Sequence, residues 1–312
     1  MNNTIFRLPP RIIVHHMESD RLIPGQILYS DIDKLHTTNG NNITDDVFDM
    51  WEVNGTGIWG FTQTSEYDIV IVDRYNHCLR LYNRLQDTVK KLVGSCDRKL
   101  PGLRDGTDAL FNGPMKVIQD SVAPCLLYVI DFHSHALRMV TKTRIPHVKT
   151  LIKNDHKKYM CLTQEPEGRY LYITYFEGLE RYDLMTNTSI DIVSENTRYA
   201  NDAWLEDGAM ARLVGIILYK DMVFMADSSR NVLFVVDLTT NTTSTICTGV
   251  AGHRSGNTSF CQLDGPEALL KLNGDIYIGE KGHISILRGT TYCSSQMQFP
   301  KFTREWLFDL QA

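Results

Sequence analysis

A recurring pattern of short apolar strands constrains the fold of this chain more than any other feature of its sequence. Each copy contains an apolar strand, an acidic or small residue, a turn of three or four residues and a second alternating strand. The residues that end the first strand, here called the anchors, are Asp31, Asp73, Asp131, Thr174, Asp227 and Gly279. They are separated by 42, 58, 43, 53 and 52 residues. Four antiparallel strands with short turns need about 40 to 50 residues, so the spacing predicts about six four-stranded units.

A second element recurs between the anchors, with the pattern Asp-Gly-x-x-Ala-x-apolar. Its three copies begin at Asp105, Asp207 and Asp264 and share the same internal spacing. Asp-Gly suits a tight turn because glycine takes positive φ without steric cost. Three copies with one spacing indicate that a single structural unit is repeated along the chain.

Both elements resemble the NHL repeat family. The motif that names the family is matched here by Asp73, Asn76, His77, Leu79 and Arg80. The stretch 93–114 looks like the linker between NHL repeats. The resemblance implies an all-β fold, a six-bladed β-propeller of four-stranded antiparallel blades that occupies residues 1–312 as a single domain. The fourth repeat departs from the family pattern, because 174–178 has neither the aspartate nor the Asn-His pair.

The two ends of the chain carry separate expectations. Thr4–Leu8 is predicted to pair as the outermost strand of the sixth blade, so that the segment 1–10 closes the ring and removes exposed sheet edges. The tail 300–312 is predicted to form a strand or a short helix. The predicted inner strands are Ile12–His15, Ile58–Phe61, Met115–Ile118, Tyr159–Leu162, Leu213–Ile216 and Glu267–Leu270.

Composition and charge narrow the range of partners. Hydrophobic residues make up 43% of the chain and charged residues 22%, which is typical of a globular protein with a substantial core. A net charge of −5 disfavours broad nucleic-acid binding. No apolar run reaches the length of a membrane helix, and the N-terminus lacks the regions of a signal peptide. These features predict either a cytosolic protein or a mature or excised piece of a longer one.

Cysteines and glycosylation sequons bear on the compartment. The seven cysteines contain no C-x-x-C pair, which leaves zinc ribbons and thioredoxin chemistry without support. Cys247 and Cys261 flank a Gly/Ser/Asn-rich loop and are the best disulfide candidate, with buried reduced cysteines as the alternative. Beside a sequon at Asn2, the glycosylation candidates are Asn42, Asn54, Asn187, Asn241 and Asn257. Together they favour an extracellular or secreted setting, with the cytoplasm as the alternative.

Residues at matching positions of the repeat are interpreted as structural. His77 and His135 are expected to be turn residues that hydrogen-bond to backbone between blades. Asp73, Asp131 and Asp227 are expected to cap turns, because aspartate readily bonds its own downstream backbone. Function is instead expected on residues that break the repeated pattern.

An enzyme with a metal on the propeller axis is the second hypothesis. Propellers of the lactonase and phosphotriesterase type hold calcium with several oxygen ligands, and the predicted inner strands offer only Glu267, with Asn112 nearby. The related peptide-amidating lyases use histidine-bound zinc, and His15-His16 lacks a third ligand with matched spacing. No G-x-S-x-G, Walker or G-x-G-x-x-G sequence is present. We therefore predict no cofactor, with calcium or zinc only if this hypothesis holds.

Two groups of side chains are candidates for ligand contact. One is a basic cluster of Arg138, Lys142, Arg144, His147, Lys149, Lys153, His156, Lys157 and Lys158. A solvated loop is the ordinary explanation of such a cluster, and a footprint for an anionic partner is the alternative. The other group is Trp51, Trp59 and Trp204, near predicted strand ends, where an aromatic ring either wedges between blades or contacts a protein.

These observations favour recognition over catalysis. We predict a rigid scaffold without catalytic residues whose loop face binds a protein or peptide, with Lys99–Asp105 and His253–Phe260 as insertions that supply specificity. The predicted binding residues are Arg138, Lys149, Lys153, Lys157, Lys158, Trp51, Trp59 and Trp204. The alternatives are a hydrolase or lyase with a metal on the axis, and an intracellular RNA-binding or ubiquitin-pathway NHL module.

Overall fold

The computed structural model describes residues 13–38, 43–49, 57–176, 178–194, 212–257, 259–289 and 302–306. Within these ranges the regular structure is β-strand, apart from one 3₁₀ turn at Phe132–Ser134. The β-branched and aromatic residues of the repeat form the strands, and the turn residues between them form the connections. The predicted all-β fold is confirmed.

The strands form six antiparallel sheets, each ordered from an inner to an outer strand. The first three sheets are β1 (His16–Ser19), β2 (Ile27–Ser30), β3 (Lys34–Thr38) and β4 (Ile43–Asp49); β5 (Ile58–Gln63), β6 (Asp68–Asp73), β7 (Cys78–Asn83) and β8 (Thr88–Gly94); and β9 (Pro114–Gln119), β10 (Leu126–Asp131), β11 (Ala136–Thr141) and β12 (His147–Lys153). The next two are β13 (Tyr159–Gln164), β14 (Tyr170–Tyr175), β15 (Gly178–Asp183) and β16 (Thr188–Val193); and β17 (Leu213–Tyr219), β18 (Met222–Asp227), β19 (Val232–Asp237) and β20 (Thr242–Ile246). The sixth contains β22 (Ala268–Leu272), β23 (Asp275–Glu280), β24 (His283–Gly289) and β25 (Phe302–Trp306), with β21 (Gly256–Asn257) beside β25.

The six sheets stand around a common axis as the blades of a propeller. Each inner strand contacts the inner strand of the next blade, and β22 of the sixth blade contacts β1 of the first. The apolar core lies between blades: Val70 and Val72 of the second blade share one cluster with Val117 and Val129 of the third. The predicted six-bladed β-propeller is therefore confirmed.

The fourth strand of the sixth blade comes from the C-terminal tail. The position beside β24, which we expected Thr4–Leu8 to take, is occupied by β25 from the C-terminal tail. The predicted closing segment 1–10 lies outside the described residues. Closure between the first and last blades involves an isolated bridge between Ile13 and Lys281.

Three predicted positions shift along the chain. The inner strand of the first blade is β1 rather than Ile12–His15. In the fourth blade the anchor is Tyr175, one residue later than Thr174. In the sixth blade it is Glu280, one residue later than Gly279. Tyr175 pairs with Gly178 and Glu280 with His283, as Asp73 pairs with Cys78, so the turns in these two blades are two residues shorter.

Three of the anchors, Asp131, Asp227 and Glu280, tie their blade to the linker that precedes its inner strand. Asp131 Oδ1 accepts the Asn112 N–H at 2.7 Å, and Glu280 Oε2 accepts the Asp264 N–H at 2.7 Å. Asp227 Oδ1 caps its own turn through the Ser229 N–H at 2.9 Å. These contacts agree with the interpretation of the repeated aspartates as structural residues.

The residue that ends the turn after the anchor joins neighbouring blades. His77 has a φ of 57° and His135 a φ of 52°, the left-handed region in which such turns end. His77 Nδ1 accepts the Gly113 N–H at 3.0 Å, and His135 Nδ1 donates to the Asp155 carbonyl at 3.0 Å. Both histidines therefore hydrogen-bond to backbone of the next linker, as predicted.

Two disulfides close linkers that leave outer strands. Cys247–Cys261 was predicted, whereas Cys78–Cys96 was not. Cys125 is an exposed free thiol, Cys161 is buried, and Cys293 lies outside the described residues. Among the sequons, Asn187 and Asn241 occupy equivalent left-handed turn positions on the surface, and Asn257 lies in β21. Asn2, Asn42 and Asn54 lie outside the described residues.

Candidate ligand site at the hub of the loop face

One face of the propeller carries the turns between second and third strands together with the linkers between blades; we call it the loop face. Every inner strand begins at this face and runs towards the opposite one. The predicted insertions Lys99–Asp105 and His253–Phe260 belong to two of these linkers. Side chains at the start of the inner strands meet those of the turns around the axis.

Arg74 lies at the centre of this arrangement, directly after β6. It is only 8% exposed, its Nε is buried without a hydrogen-bond partner, and no carboxylate of the described residues pairs with it. Its guanidinium lies 4.1 Å from the ring centre of Trp59 and 4.9 Å from that of Phe132. Burial lowers the pKa of Arg74, and the nearby Arg212 lowers it further. Arg74 is thus a cation held between two rings without an anion.

Aromatic rings continue on both sides of Arg74. His15 stacks on Trp59 with ring centres 4.9 Å apart, and Phe132 meets Phe176 edge to face at 6.3 Å. The Trp59 Nε1 is buried without a partner among the described residues. The rings come from four consecutive blades, so their spacing depends on the ring of blades and not on one loop.

Lys116, on β9, is a second buried cation. It is 3% exposed, and its ammonium donates a hydrogen bond to the His15 carbonyl. Burial lowers its pKa; Cys161 and Glu267 oppose this shift, and Arg74 adds to it. The ammonium therefore lies close enough to Arg74 for the two charges to repel each other.

Glu267, just before β22, is the one carboxylate in contact with these groups in the described part of the chain. Its Oε2 accepts a hydrogen bond from His15 Nδ1 at 2.6 Å, and its Oε1 lies 3.8 Å from Arg212 Nη2. Burial raises the pKa of Glu267, but His15, Arg212 and Lys116 outweigh that effect and the net shift is downward. Glu267 is therefore ionised at neutral pH.

We call Trp59, Arg74, Lys116, Phe132, Arg212, Glu267 and His15 the hub cluster. The cluster contains three cationic side chains and one carboxylate, so it has an excess of positive charge in a partly desolvated place. Glycines allow the inner strands to approach here: a Cβ on Gly60 would lie 2.9 Å from the Met115 carbonyl oxygen, and one on Gly215 would lie 2.8 Å from that of Glu267. The arrangement suits an anion with an apolar neighbour.

The predicted basic cluster does not form a single surface. Arg138 is wholly buried and bonds Asp131 at 3.0 Å and Asp105 at 2.9 Å. This corrects its assignment as a binding residue, because its charge is satisfied inside the blade. Lys142 and Arg144 lie before β12 and Lys157 after it, about 20 Å apart along an extended strand.

The other predicted residues are dispersed. Lys157 pairs with Glu180 at 2.6 Å and Asp191 at 2.5 Å, and Lys153 pairs with Asp155. Lys149 is exposed on β12, and Lys158 is exposed with its ammonium 5.5 Å from the Phe176 ring. Trp59 belongs to the hub cluster, whereas Trp51 and Trp204 lie outside the described residues. The structure therefore brings one predicted residue, Trp59, into the hub cluster.

The opposite end of the axis is polar and internally satisfied. A cavity of about 290 Å³ there is lined by Glu18, Ser19, Arg21, Thr62, Ile118, Gln119, Ser121, Thr163, Gln164 and Leu270. Gln63, Gln119 and Gln164 end three consecutive inner strands, and each bonds the turn of the preceding blade. This repetition indicates construction of the ring, in contrast to the irregular hub cluster.

The position of Arg74 in the repeat is a signal for it in the sequence. The residue that follows the anchor takes five types in the six blades: Ile32, Arg74, Phe132, Phe176, Ser228 and Lys281. Such variation beside an otherwise repeated residue is where function was expected. In the described ranges, no group of three or more His, Cys, Asp or Glu side chains is placed to hold a metal ion. Those ranges also contain no helix long and apolar enough to cross a membrane.

Solved structures of other proteins share this fold. The chain is similar to an auxiliary nutrient binding protein from Bacteroides thetaiotaomicron VPI-5482, with TM-score 0.66 and 10% identity over 88% of this chain and 68% of that one. It is similar to a chain of a nidogen/laminin complex (TM-score 0.59, 8% identity, 84% and 89% covered) and to streptogramin B lyase (TM-score 0.57, 13% identity, 86% and 76% covered). At these identities the similarity shows the fold alone.

Sequence comparison adds no closer assignment. No protein-family model matches the chain, and no curated protein sequence matches it. The NHL resemblance is therefore not confirmed at the level of the family. The fold and the hub cluster define a six-bladed β-propeller whose loop face holds a buried cation, Arg74, that no carboxylate of the described residues pairs with.

Proposed function

We propose that this propeller is a non-catalytic binding protein that recognises a protein or peptide ligand on its loop face, with the hub cluster at the centre of the contact. One observation carries the proposal: the Arg74 guanidinium is buried between Trp59 and Phe132 without a partner in the described part of the chain. An unpaired buried charge costs stability. A ligand that supplies the missing partner accounts for it.

The surroundings of the hub cluster support a ligand larger than a small molecule. Exposed apolar side chains on the loop face, each at least 42% exposed, are Ile32, Tyr75, Leu100, Leu103, Val250 and Phe260. Apolar contacts around a desolvated cation are the usual composition of a protein-binding surface. The opposite face also exposes apolar side chains, so the cation is what distinguishes the loop face.

The similar structures support recognition, since two of them are named for nutrient binding and for a nidogen/laminin complex. The likeness to streptogramin B lyase keeps catalysis as the second candidate. We also propose an NHL-type relationship over a single domain. It is supported by His77 and His135, which occupy the same position in the repeat, adopt the same left-handed turn and bond the next linker in both blades.

We propose an extracellular setting for this recognition. The disulfides Cys78–Cys96 and Cys247–Cys261 support it, because disulfides persist in oxidising compartments. The sequons at Asn187 and Asn241 lie on exposed turns. Mass spectrometry of native protein, with and without glycosidase, is expected to show both disulfides and a glycan mass. Seven free thiols and unmodified sequons would instead place the protein in the cytosol.

Selection of a displayed random-peptide library on the folded propeller tests the function. We expect enriched peptides that bind saturably and lose at least about tenfold in affinity with Trp59→Ala or Phe132→Ala, because central aromatic contacts dominate such interfaces. Lys90→Ala, on the exposed outer strand β8 of the same blade, is the matched control and should bind normally. Peptides that bind both hub variants as tightly as wild type would refute the proposed surface.

A further inference from the structure

We infer that the hub cluster is a carboxylate-binding site, in which Arg74 is the principal donor to a carboxylate carried by the ligand. That the ligand is a peptide rests on the proposed function. The chemistry of the site does not depend on that function, because it follows from the side chains themselves.

The first argument is the direction from which Arg74 is accessible. The central carbon of its guanidinium lies 4.1 Å from the ring centre of Trp59 and 4.9 Å from that of Phe132. A ligand must therefore approach the part of the guanidinium that the two rings leave uncovered. Parallel N–H bonds along an edge of a guanidinium match the two oxygens of a carboxylate.

The second argument is charge. Lys116 is 3% exposed and its ammonium has one hydrogen-bond acceptor, the His15 carbonyl, so two of its three donors have no described partner. Arg212 is half-exposed and faces Glu267 at 3.8 Å, beyond hydrogen-bond distance. With three cations and one carboxylate the cluster has an excess of about two positive charges, so a negative charge added near Arg74 and Lys116 would lower the excess. The charge therefore favours an anion, and the choice between a carboxylate and a phosphate depends on the other groups of the site.

The third argument separates a carboxylate from a phosphate. Glu267 is 7% exposed and ionised within the same cluster, so a dianion would meet a buried like charge. The rings of Trp59, Phe132 and Phe176 offer apolar surface beside the cation, which suits the carbon atoms attached to a carboxylate. A site for phosphate would instead be expected to lack a buried carboxylate.

Titration with sodium acetate and with inorganic phosphate, at constant ionic strength and followed by ligand-observed NMR, tests the site without a peptide. We expect acetate to bind wild type more tightly than phosphate does. Arg74→Met keeps the contacts with both rings and should weaken acetate binding at least about tenfold, because a charge-assisted bidentate pair is lost. Lys90→Met is the matched control and should leave acetate binding unchanged. Circular dichroism verifies that both variants fold.

The outcomes separate the two proposals. Acetate binding that is absent, independent of Arg74 or weaker than phosphate binding overturns the carboxylate site. If acetate binds through Arg74 but no peptide is selected, the site stands and the proposed peptide ligand falls. Each selected peptide is then tested with Asp→Asn replacement, with Glu→Gln replacement and with an amidated chain end. The change that abolishes binding identifies the source of the carboxylate. Tolerance of all of them overturns the site and leaves peptide recognition intact.

Discussion

Two buried arginines in neighbouring blades illustrate opposite uses of the same charge. Arg138 is wholly buried and has a carboxylate on each side, Asp131 and Asp105. Arg74 is nearly as buried and has aromatic rings in place of carboxylates. A satisfied buried charge becomes part of the fold, whereas an unsatisfied one is a cost that points to a ligand.

Replacing Arg138 should therefore unfold the protein more easily. We expect Arg138→Met to lower the free energy of unfolding by about 3 to 5 kcal/mol, because it leaves Asp131 buried without its partner. Urea unfolding followed by circular dichroism measures the change. Lys149→Met, on the exposed edge of the same blade, should change it by less than about 0.5 kcal/mol. An equal effect of both substitutions would show that the buried pair has no special weight.

Lys116 gives the stability of the protein a particular dependence on pH. Burial lowers its pKa below the usual 10.5, so the unfolded chain binds this proton more tightly than the folded protein does. The free energy of unfolding should therefore increase as the pH rises towards 10.5, because the cost of keeping Lys116 charged or of deprotonating it in the folded protein disappears. The increase is about 1.4 kcal/mol for each unit by which burial lowers the pKa. Lys116→Met should remove that gain.

Calorimetric unfolding between pH 7 and about 10 detects the difference. The stability of Lys116→Met relative to wild type should be highest at pH 7 and should decline as the pH rises. Lys90→Met, which removes an exposed lysine from β8, should run parallel to wild type. Parallel curves for Lys116→Met and wild type would mean that Lys116 keeps its ordinary pKa in the folded protein.

At the level of elements, strands were easier to predict than their connections. The strands β6, β10 and β18 were correctly placed because aspartate ends each of them and a four-residue turn follows. The fourth and sixth anchors were misplaced by one residue because Tyr175 and Glu280 take the place of aspartate before shorter turns. Tyr175 instead donates its hydroxyl at 3.2 Å to the carbonyl of Val193, at the end of the outer strand of its own blade, a contact that residue type alone does not reveal.

The hub cluster could not be predicted as a group, because its members come from positions 15 to 267 and meet only when the ring forms. The type of Trp59 and its place near a predicted strand end mark it as a contact residue. Arg74 lies outside the run of basic residues along the chain, so no local pattern marks it. Arg138 was misassigned because a run in sequence alternates between the inside and the outside of a strand.

The disulfides hold linkers that begin where outer strands end. Cys247→Ser with Cys261→Ser should lower the free energy of unfolding by about 3 kcal/mol, as expected for a loop with a sequence separation of 14. The linker 248–260 should also be cut faster by protease. Calorimetry and limited proteolysis measure the two effects. Cys125→Ser removes an exposed free thiol and should change neither the free energy of unfolding nor the rate of proteolysis. If Cys125→Ser lowers stability as much as the double substitution does, the loss comes from thiol chemistry other than this disulfide.

For the whole molecule, the contact between the first and last blades decides whether the ring holds together. A Cβ on Gly279 would lie 2.6 Å from Val14 Cγ1, in the contact that joins these blades. We expect Gly279→Ala to lower the melting temperature, because overpacking at such a site costs about 1 to 3 kcal/mol. Val14 Cβ and Ala268 Cβ would also lie within 3.0 Å of the added methyl group, so the site has little room to relax. A melting temperature that Gly279→Ala leaves unchanged would show that this contact accommodates a methyl group.

The assignment of β25 to the sixth blade has a consequence for synthesis. Throughout the described chain, every blade is built from one continuous stretch, so no blade waits for a strand from the far end. As the chain leaves the ribosome, each group of hairpins can form in turn, and the lateral contact between the first and sixth blades must await the sixth. Acquisition of structure along the described chain would then advance blade by blade, with this contact as a late packing event.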